Sequence, residues 1–459
     1  MKTLIKNGLI VLENETMKGD ILVNGETIDK IAPSIDVPAD KVIDASGKVV
    51  VPGGIDVHTH FNLDVGSIAT DDFETGTKAA AFGGTTMIVD HMGFGPKGCD
   101  LHHQVNVYHG YSEGKCVIDF SFHGVFQDVD EAILDEVASM VDDGIPSFKI
   151  YLTYDYKIED IDALKILKRL KDVGGITTVH CENDAIVTYL KEKCIREGKL
   201  DTKYHPLCRP NICEAEAVNR MIALAEVAED APLYIVHVSC NESAELIKAA
   251  IEKGQYVYGE TCPQYLFLDE SKYDLPDHES LKYVISPPLR NKVHNELLWK
   301  KIQDGTLSVI ATDHCPFDFH GDKQKGKDDF TKCPGGGPGV ETRMPLIFSA
   351  GVSDGRISLN KFAHVTSTNP AKIFGLYPKK GVLAEGSDAD IVFIDPEKEV
   401  TITKPILHEN VDYTPYEGMK VKGWPVLTMV RGQVVVENNE LQVDPGFGQF
   451  VKRGHTQKL

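Results

Sequence analysis

The stretch VVVPGGIDVHTHF sets two imidazoles, His58 and His60, two residues apart at the end of a β-branched run. Side chains two apart in a strand face one way, and paired neutral imidazoles are a common start to a metal site. Four further apolar runs end on a group able to ligate a cation or move a proton: Lys149 in SFKIYLTY, His180 in TTVHCEND, His237 in YIVHVS and Asp313 in VIATDHCPF. Each histidine alone reads as a hydrogen-bonded core residue, and the aspartate alone as a helix cap. Lys149, between Phe148 and Ile150, is harder to explain that way. A buried ammonium is costly unless it is paired or neutralised.

An ammonium has no lone pair for a metal. Burial beside cations lowers a lysine's pKa and exposes the neutral amine. That amine can take up carbon dioxide as a carbamate, an anion whose two oxygens can bridge two cations. Four imidazoles, one carboxylate and a carbamate on Lys149 would then furnish a dinuclear site, provided one rim collects them.

The elements that must do so are legible as alternating strand and helix patterns between about residues 55 and 370. Eight strands are expected at Val51–His60, Thr86–His91, Val117–His123, Ser147–Tyr151, Thr177–Cys181, Leu233–Ser239, Tyr256–Thr261 and Ser308–Asp313. Helical patterns such as Ile161–Leu170, Ala215–Glu229 and Glu242–Lys253 fall between them. This is the pattern of a (β/α)8 TIM barrel, whose chemistry sits at the C-terminal ends of the strands. The candidate residues fall at those ends. Both termini carry short strands and Asn-Gly, Ser-Gly or Arg-Gly turns, so they are expected to pair into one small β-sandwich. The expected division is 1–52 and 375–459 for the sandwich and 53–374 for the barrel.

Against 48 basic side chains stand 69 acidic ones, a net charge of −21. That argues against nucleic acid or an anionic membrane surface as a partner. The ten cysteines include no CxxC pair, which reads as reduced thiols. With no signal-peptide pattern and no apolar run of membrane-spanning length, a cytoplasmic location is expected.

VPGGIDVHTHF, AFGGTTMIVDH, PSFKIYLTY, TTVHCEND, YIVHVS, ETCPQYL, SPPLR, ATDHCPF and GPGVETRMPL follow one another in an order that resembles the cyclic amidohydrolases of the hydantoinase/dihydropyrimidinase branch. SFHG, DHMGFGP and LTYDYK resemble the bacterial D-phenylhydantoinases in particular. The resemblance implies a barrel carrying a sandwich of both termini. It implies two divalent metals, usually zinc, bridged by a carboxylated lysine and a hydroxide. By motif match His58, His60 and Asp313 would hold one metal, His180 and His237 the other, and Lys149 would bridge. Tyr154 would assist the oxyanion, while main-chain groups of Ser286 and Gly335 would hold the substrate. Asp313 would act as general base and then general acid. The implied substrate is a small cyclic ureide or imide, a 5-substituted (D-aryl) hydantoin before dihydrouracil, and the implied assembly is a homotetramer. A non-catalytic scaffold relative is the third reading, and the intact ligand set speaks against it.

The chain departs from the family at two places. Gly335 stands where asparagine is frequent, and Phe61-Asn62-Leu63-Asp64-Val65 replaces the usual Leu-Asp-Met-Pro-Phe. Phe61, Leu63, Val65, Leu152 and Tyr156 are candidates for an apolar wall around the ring substituent, or equally for ordinary loop packing. GFGPKG at 93–98 matches a dinucleotide-binding glycine pattern but is read as a tight loop at the barrel mouth, and GGGPG lacks a P-loop ending. His91, His123 and His314 are read either as candidates to orient ligands or as packing residues.

Overall fold

The computed structural model describes residues 1–459. Its centre is an eight-stranded parallel barrel of Gly54–Thr59, Thr85–His91, Asp119–Val125, Ser147–Tyr151, Ile176–His180, Leu233–Ile235, Val257–Thr261 and Leu307–Ile310, paired in sequence order. The TIM-barrel expectation holds. Helices return the chain between strands. Glu131–Asp142 buries Leu134, Val137 and Met140, three residues apart on one face, and Asp130 caps its first turn. Asp160–Asp172 likewise buries one face, Ala163, Ile166, Leu167 and Leu170. No helix is long and apolar enough to cross a membrane.

The first and eighth strands share no continuous ladder, and side chains close the seam. Asp56 accepts from Thr312 N–H at 3.2 Å and from its hydroxyl at 2.7 Å. The fully buried Arg343 donates to the carbonyls of Ile55 and Ile310, each at 3.0 Å. At the C-terminal rim His314 completes the ring, with its N–H on the His58 carbonyl and its carbonyl taking His60 N–H.

Several strand limits differ from expectation. The run expected as one strand from Val51 splits, because Val49–Pro52 pairs antiparallel with the strand Ile391–Thr401. Gly53 makes the crossing, since a Cβ there would lie 2.0 Å from the Thr86 hydroxyl. The sixth and eighth strands stop at Ile235 and Ile310, short of the residues that matter. His237 and Asp313 instead adopt left-handed backbone, with φ of 39° and 55°.

The first strand also departs from simple alternation. Val57 packs in the barrel's inner cluster with Ile55, Met87 and Val309, yet the adjacent His58 points inward too. The ladder to the second strand is broken between Asp56 and Thr59. A bulge of this kind re-aims a side chain at a functional rim.

The two termini pair as expected, into one nine-stranded sheet. Ile5, Ile10, Ile21 and Val50 from its N-terminal part share a core with Ile391, Phe393, Leu427 and Met429. The tail is an ordered packing arm under the barrel. Phe450 bridges to Phe120, and Arg453 donates to Ser121 Oγ at 2.9 Å and to the Phe122 carbonyl. Lys380 ties sheet to barrel, placing Nζ 2.7, 3.0 and 2.8 Å from the carboxylates of Asp119, Asp388 and Asp390.

Candidate metal centre

The residues singled out by type converge at the C-terminal rim. His58 Nε2 and His60 Nε2 lie 3.1 and 3.2 Å from one oxygen, Asp313 Oδ1. Lys149 Nζ is 3.4 Å from His58 Nε2. On the far side of the lysine, His180 Nδ1 and His237 Nε2 face each other at 2.9 Å. The imidazoles and Lys149 are buried, whereas the Asp313 side chain stays 15% exposed. The positive φ at Asp313 and His237 marks backbone held against its preference, which a packed surrounding must enforce.

Glu260, on the seventh strand, anchors this geometry. It is fully buried, accepts His58 Nδ1–H at 2.6 Å and the His237 N–H at 2.9 Å through one oxygen, and takes the Tyr234 hydroxyl at 2.8 Å through the other. Nδ1 is thereby fixed as the proton-bearing nitrogen of His58, and Nε2 is the one that would ligate once a cation displaces its proton. Glu182 does the same for His180, whose Nε2 lies 2.8 Å from it, so Nδ1 is the free nitrogen. Arg209 also pairs with Glu182 and sits 5.4 Å over the Tyr154 ring.

The electrostatics suit cations. Burial lowers the His58 pKa, but the carboxylates of Glu260 and Asp313 outweigh it and carry it up to about 9. Positive charge is therefore favoured at this spot. Burial pushes His60 down to about 4 and also lowers His180 and His237, so these three rings are neutral near pH 7. Burial likewise lowers Lys149 to about 8, bringing the free amine within reach of neutral pH. Burial alone would raise the Asp313 carboxyl, but His58 and His60 hold it well below its usual range, so it is an anion. Two imidazole–carboxylate or imidazole pairs flanking a lysine with a depressed pKa fit a pair of divalent cations. His58, His60 and Asp313 offer three ligand atoms within 4.8 Å of one another. Asp119, Asp388 and Asp390 are clustered as closely, but the Lys380 ammonium already occupies their centre.

The centre floors a cavity of about 610 Å³ that Tyr154, Ser286 and Gly335 also line. Tyr154 stands at its wall, 41% exposed and 5.1 Å from the His180 ring, with φ of 77°. No main-chain N–H or carbonyl of Ser286 or Gly335 has a hydrogen-bond partner within the chain. An added Cβ at Gly335 would lie 3.3 Å from Ser286 Oγ, so the two residues are side by side.

The expected apolar wall needs correcting. Leu63, Val65 and Tyr156 line the cavity, joined by Met92, Phe94, Tyr151 and Phe330. Phe61 and Leu152 do not. Phe61 packs on Phe73 and His314 over Gly76, where only a hydrogen leaves room for its ring, and Leu152 is buried behind the rim. The 93–98 loop offers no phosphate cradle, because Gly93, Gly95 and Gly98 already donate to Tyr108, Gln127 and Asp128. His123 is bound to the Val57 carbonyl and Ser147 Oγ, and His314 to Asp71 and two backbone amides, so neither orients a ligand side chain. His91 lies between the rings of His58 and His123 with neither nitrogen hydrogen-bonded.

Sequence reasoning missed Glu260, Glu182 and Arg209 as organising groups. Glu260 had a signal: a carboxylate inside an apolar strand, with the same demand for a partner that singled out Lys149.

Comparison with known proteins accords with this geometry. The amidohydrolase family model matches residues 49–435. A D-phenylhydantoinase of Escherichia coli is 49% identical over 456 residues, spanning 99% of this chain and 98% of that protein. A dihydropyrimidinase from Brevibacillus agri superimposes with a TM-score of 0.98 at 45% identity, covering both chains fully. An L-hydantoinase (dihydropyrimidinase) from Arthrobacter aurescens does so at 0.90 and 31% identity, over 98% of this chain and 99% of that one. The chain belongs to the amidohydrolase family, as a cyclic amidohydrolase of the hydantoinase and dihydropyrimidinase group.

Proposed function

We propose that this chain opens the ring amide of 5-substituted hydantoins, D-aryl compounds among them, to give N-carbamoyl amino acids. The observation that carries the reading is the pairing of His58, His60 and Asp313 with His180 and His237 across Lys149, beneath an aromatic cavity. In this reading a carbamylated Lys149, together with His58, His60, His180, His237 and Asp313, would hold two divalent cations, zinc first among them. Bound there, the cations would supply Lewis acidity and bring the pKa of water toward neutrality.

The chain's own groups do the rest. Asp313, a partly exposed anion among buried ligands, takes the proton of the attacking water and hands it to the leaving ring nitrogen. The Tyr154 hydroxyl donates to the tetrahedral oxyanion. The free main-chain groups of Ser286 and Gly335 hold the ring's imide edge. Met92, Phe94, Tyr151 and Tyr156 receive an apolar substituent. The ten unpaired thiols support a cytoplasmic setting, and the family resemblance supports a homotetramer.

The same machinery would open dihydrouracil, and the Brevibacillus dihydropyrimidinase likeness favours that as the second reading. Turnover of D-5-phenylhydantoin, its L-enantiomer and dihydrouracil by one metal-loaded preparation separates the two. Preference for the D-aryl compound upholds the first. Preference for dihydrouracil replaces it, and turnover of none refutes both.

A further inference from the structure

One fully buried cation has no place in the reaction above. Lys323 is 0% exposed, and no carboxylate lies within ion-pair distance of its ammonium. An ammonium has three N–H donors and no acceptor. All three are used: Nζ donates to the carbonyls of Val284, Pro334 and Gly336 at 2.8, 2.9 and 2.7 Å.

Those carbonyls are not a random set. Pro334 and Gly336 flank Gly335 on both sides, and Val284 stands two residues before Ser286. The Val284 carbonyl also accepts Gly336 N–H at 3.1 Å, which draws the two segments together. Gly336 completes the turn at φ of 156°, where a Cβ would lie 2.2 Å from the Cys315 carbonyl. The neighbours' carbonyls are thus committed to the lysine, which does not itself line the cavity. The main-chain groups of Ser286 and Gly335 are the ones left free, and both residues line the cavity.

We propose that Lys323 is a positioning residue for substrate. Its ammonium clamps the 284–286 and 334–336 segments from behind, so that Ser286 and Gly335 present their main-chain donors and acceptors at fixed spacing. A buried charge is expensive, and three charge-assisted hydrogen bonds are what retain it. Neutral packing would hold two loops together more cheaply. A cation fixes the direction of three carbonyls at once, which packing does not. The inference rests on the proposed hydrolysis, and on Ser286 and Gly335 as the holders of the ring.

The test is Lys323→Met, which keeps the length and removes charge and donors, assayed with hydantoin and dihydrouracil. A subsite that binds the ring equally in ground and transition states acts on KM. KM should rise at least about tenfold while kcat falls less than about threefold. Metal content should match wild type, as should inhibition by acetohydroxamate, a metal-directed ligand without the ring. If the variant does not accumulate folded, Lys323→Gln, with two donors for three carbonyls, is measured the same way. A folded variant with wild-type KM, a loss confined to kcat, or a loss of metal would overturn the proposal. Failure of both variants to fold would also overturn it, by assigning Lys323 to stability alone. Absence of wild-type turnover would refute the underlying reaction and this inference with it, whereas wild-type turnover with an unchanged variant KM refutes the inference alone.

Discussion

Glu260 gives the sharpest test of how this centre is built. Glu260→Gln preserves shape. The amide oxygen can still accept from His58 Nδ1 and the His237 N–H, and the amide nitrogen can face the Tyr234 hydroxyl. What disappears is the negative charge 2.6 Å from His58 Nδ1, the main influence carrying that imidazole up to about 9. Turning one charge-assisted bond into a neutral one removes about 1–2 kcal/mol. At tenfold per about 1.4 kcal/mol, cation affinity at His58 should fall about 5- to 30-fold. This overlaps the about 10–100-fold loss typical when a metal-ligating histidine loses its outer partner. The assay is metal retention against a graded chelator, with circular dichroism to show that the fold persists. A chelator curve superimposable on wild type would refute the claim that Glu260 tunes His58. A collapse of the fold would instead make the carboxylate a structural group.

Further outcomes follow from the same geometry. Asp313→Asn should cut kcat by about 10²–10⁴ while part of the metal stays bound, and near-normal turnover would remove Asp313 from the proton-transfer role. Tyr154→Phe should lower kcat by about 10²–10³ with a smaller change in KM, and the reverse pattern would make it a binding residue. Burial depresses the Lys149 amine to about 8, so its neutral fraction grows as pH rises through that value. At fixed dissolved carbon dioxide, the initial rate of carbamate formation in metal-stripped protein should rise about tenfold per pH unit below 8 and level off above it. Time-resolved carbon-13 spectra with labelled carbon dioxide would record this, and a rate still rising past pH 9 would mean an unperturbed lysine. Lys380→Met leaves three buried carboxylates without their shared cation. It should cost about 3–5 kcal/mol, read in chemical denaturation, and an unchanged midpoint would show that the cluster contributes nothing to joining sheet and barrel.

Residue type and order alone determined a good deal here. Apolar runs ending in His58, His60, Lys149, His180, His237 and Asp313, with helical patterns between them, suffice for a parallel barrel with these groups on one rim. The reason is that every strand of such a barrel delivers its C-terminal end to the same face. The lysine was legible because a charge inside an apolar strand is too costly to be idle. Tertiary structure decided what local periodicity does not carry. The bulge between Asp56 and Thr59 turns His58 inward beside Val57, against strict alternation, and it depends on a register with a strand about thirty residues away. The left-handed turns at His237 and Asp313 cut their strands short, and only the surrounding packing can impose them. Glu260 and Lys323 act through partners far off in the chain. The bonds from Lys323 to Val284 and from Glu260 to His58 span 39 and 202 residues. By type Phe61 could be cavity wall or loop packing, and Gly76, on the next helix, decides it by opening a slot that buries the ring. Chemistry-bearing side chains announce themselves by the cost of burying them, whereas their orientation comes from contacts that exist only once the barrel has closed.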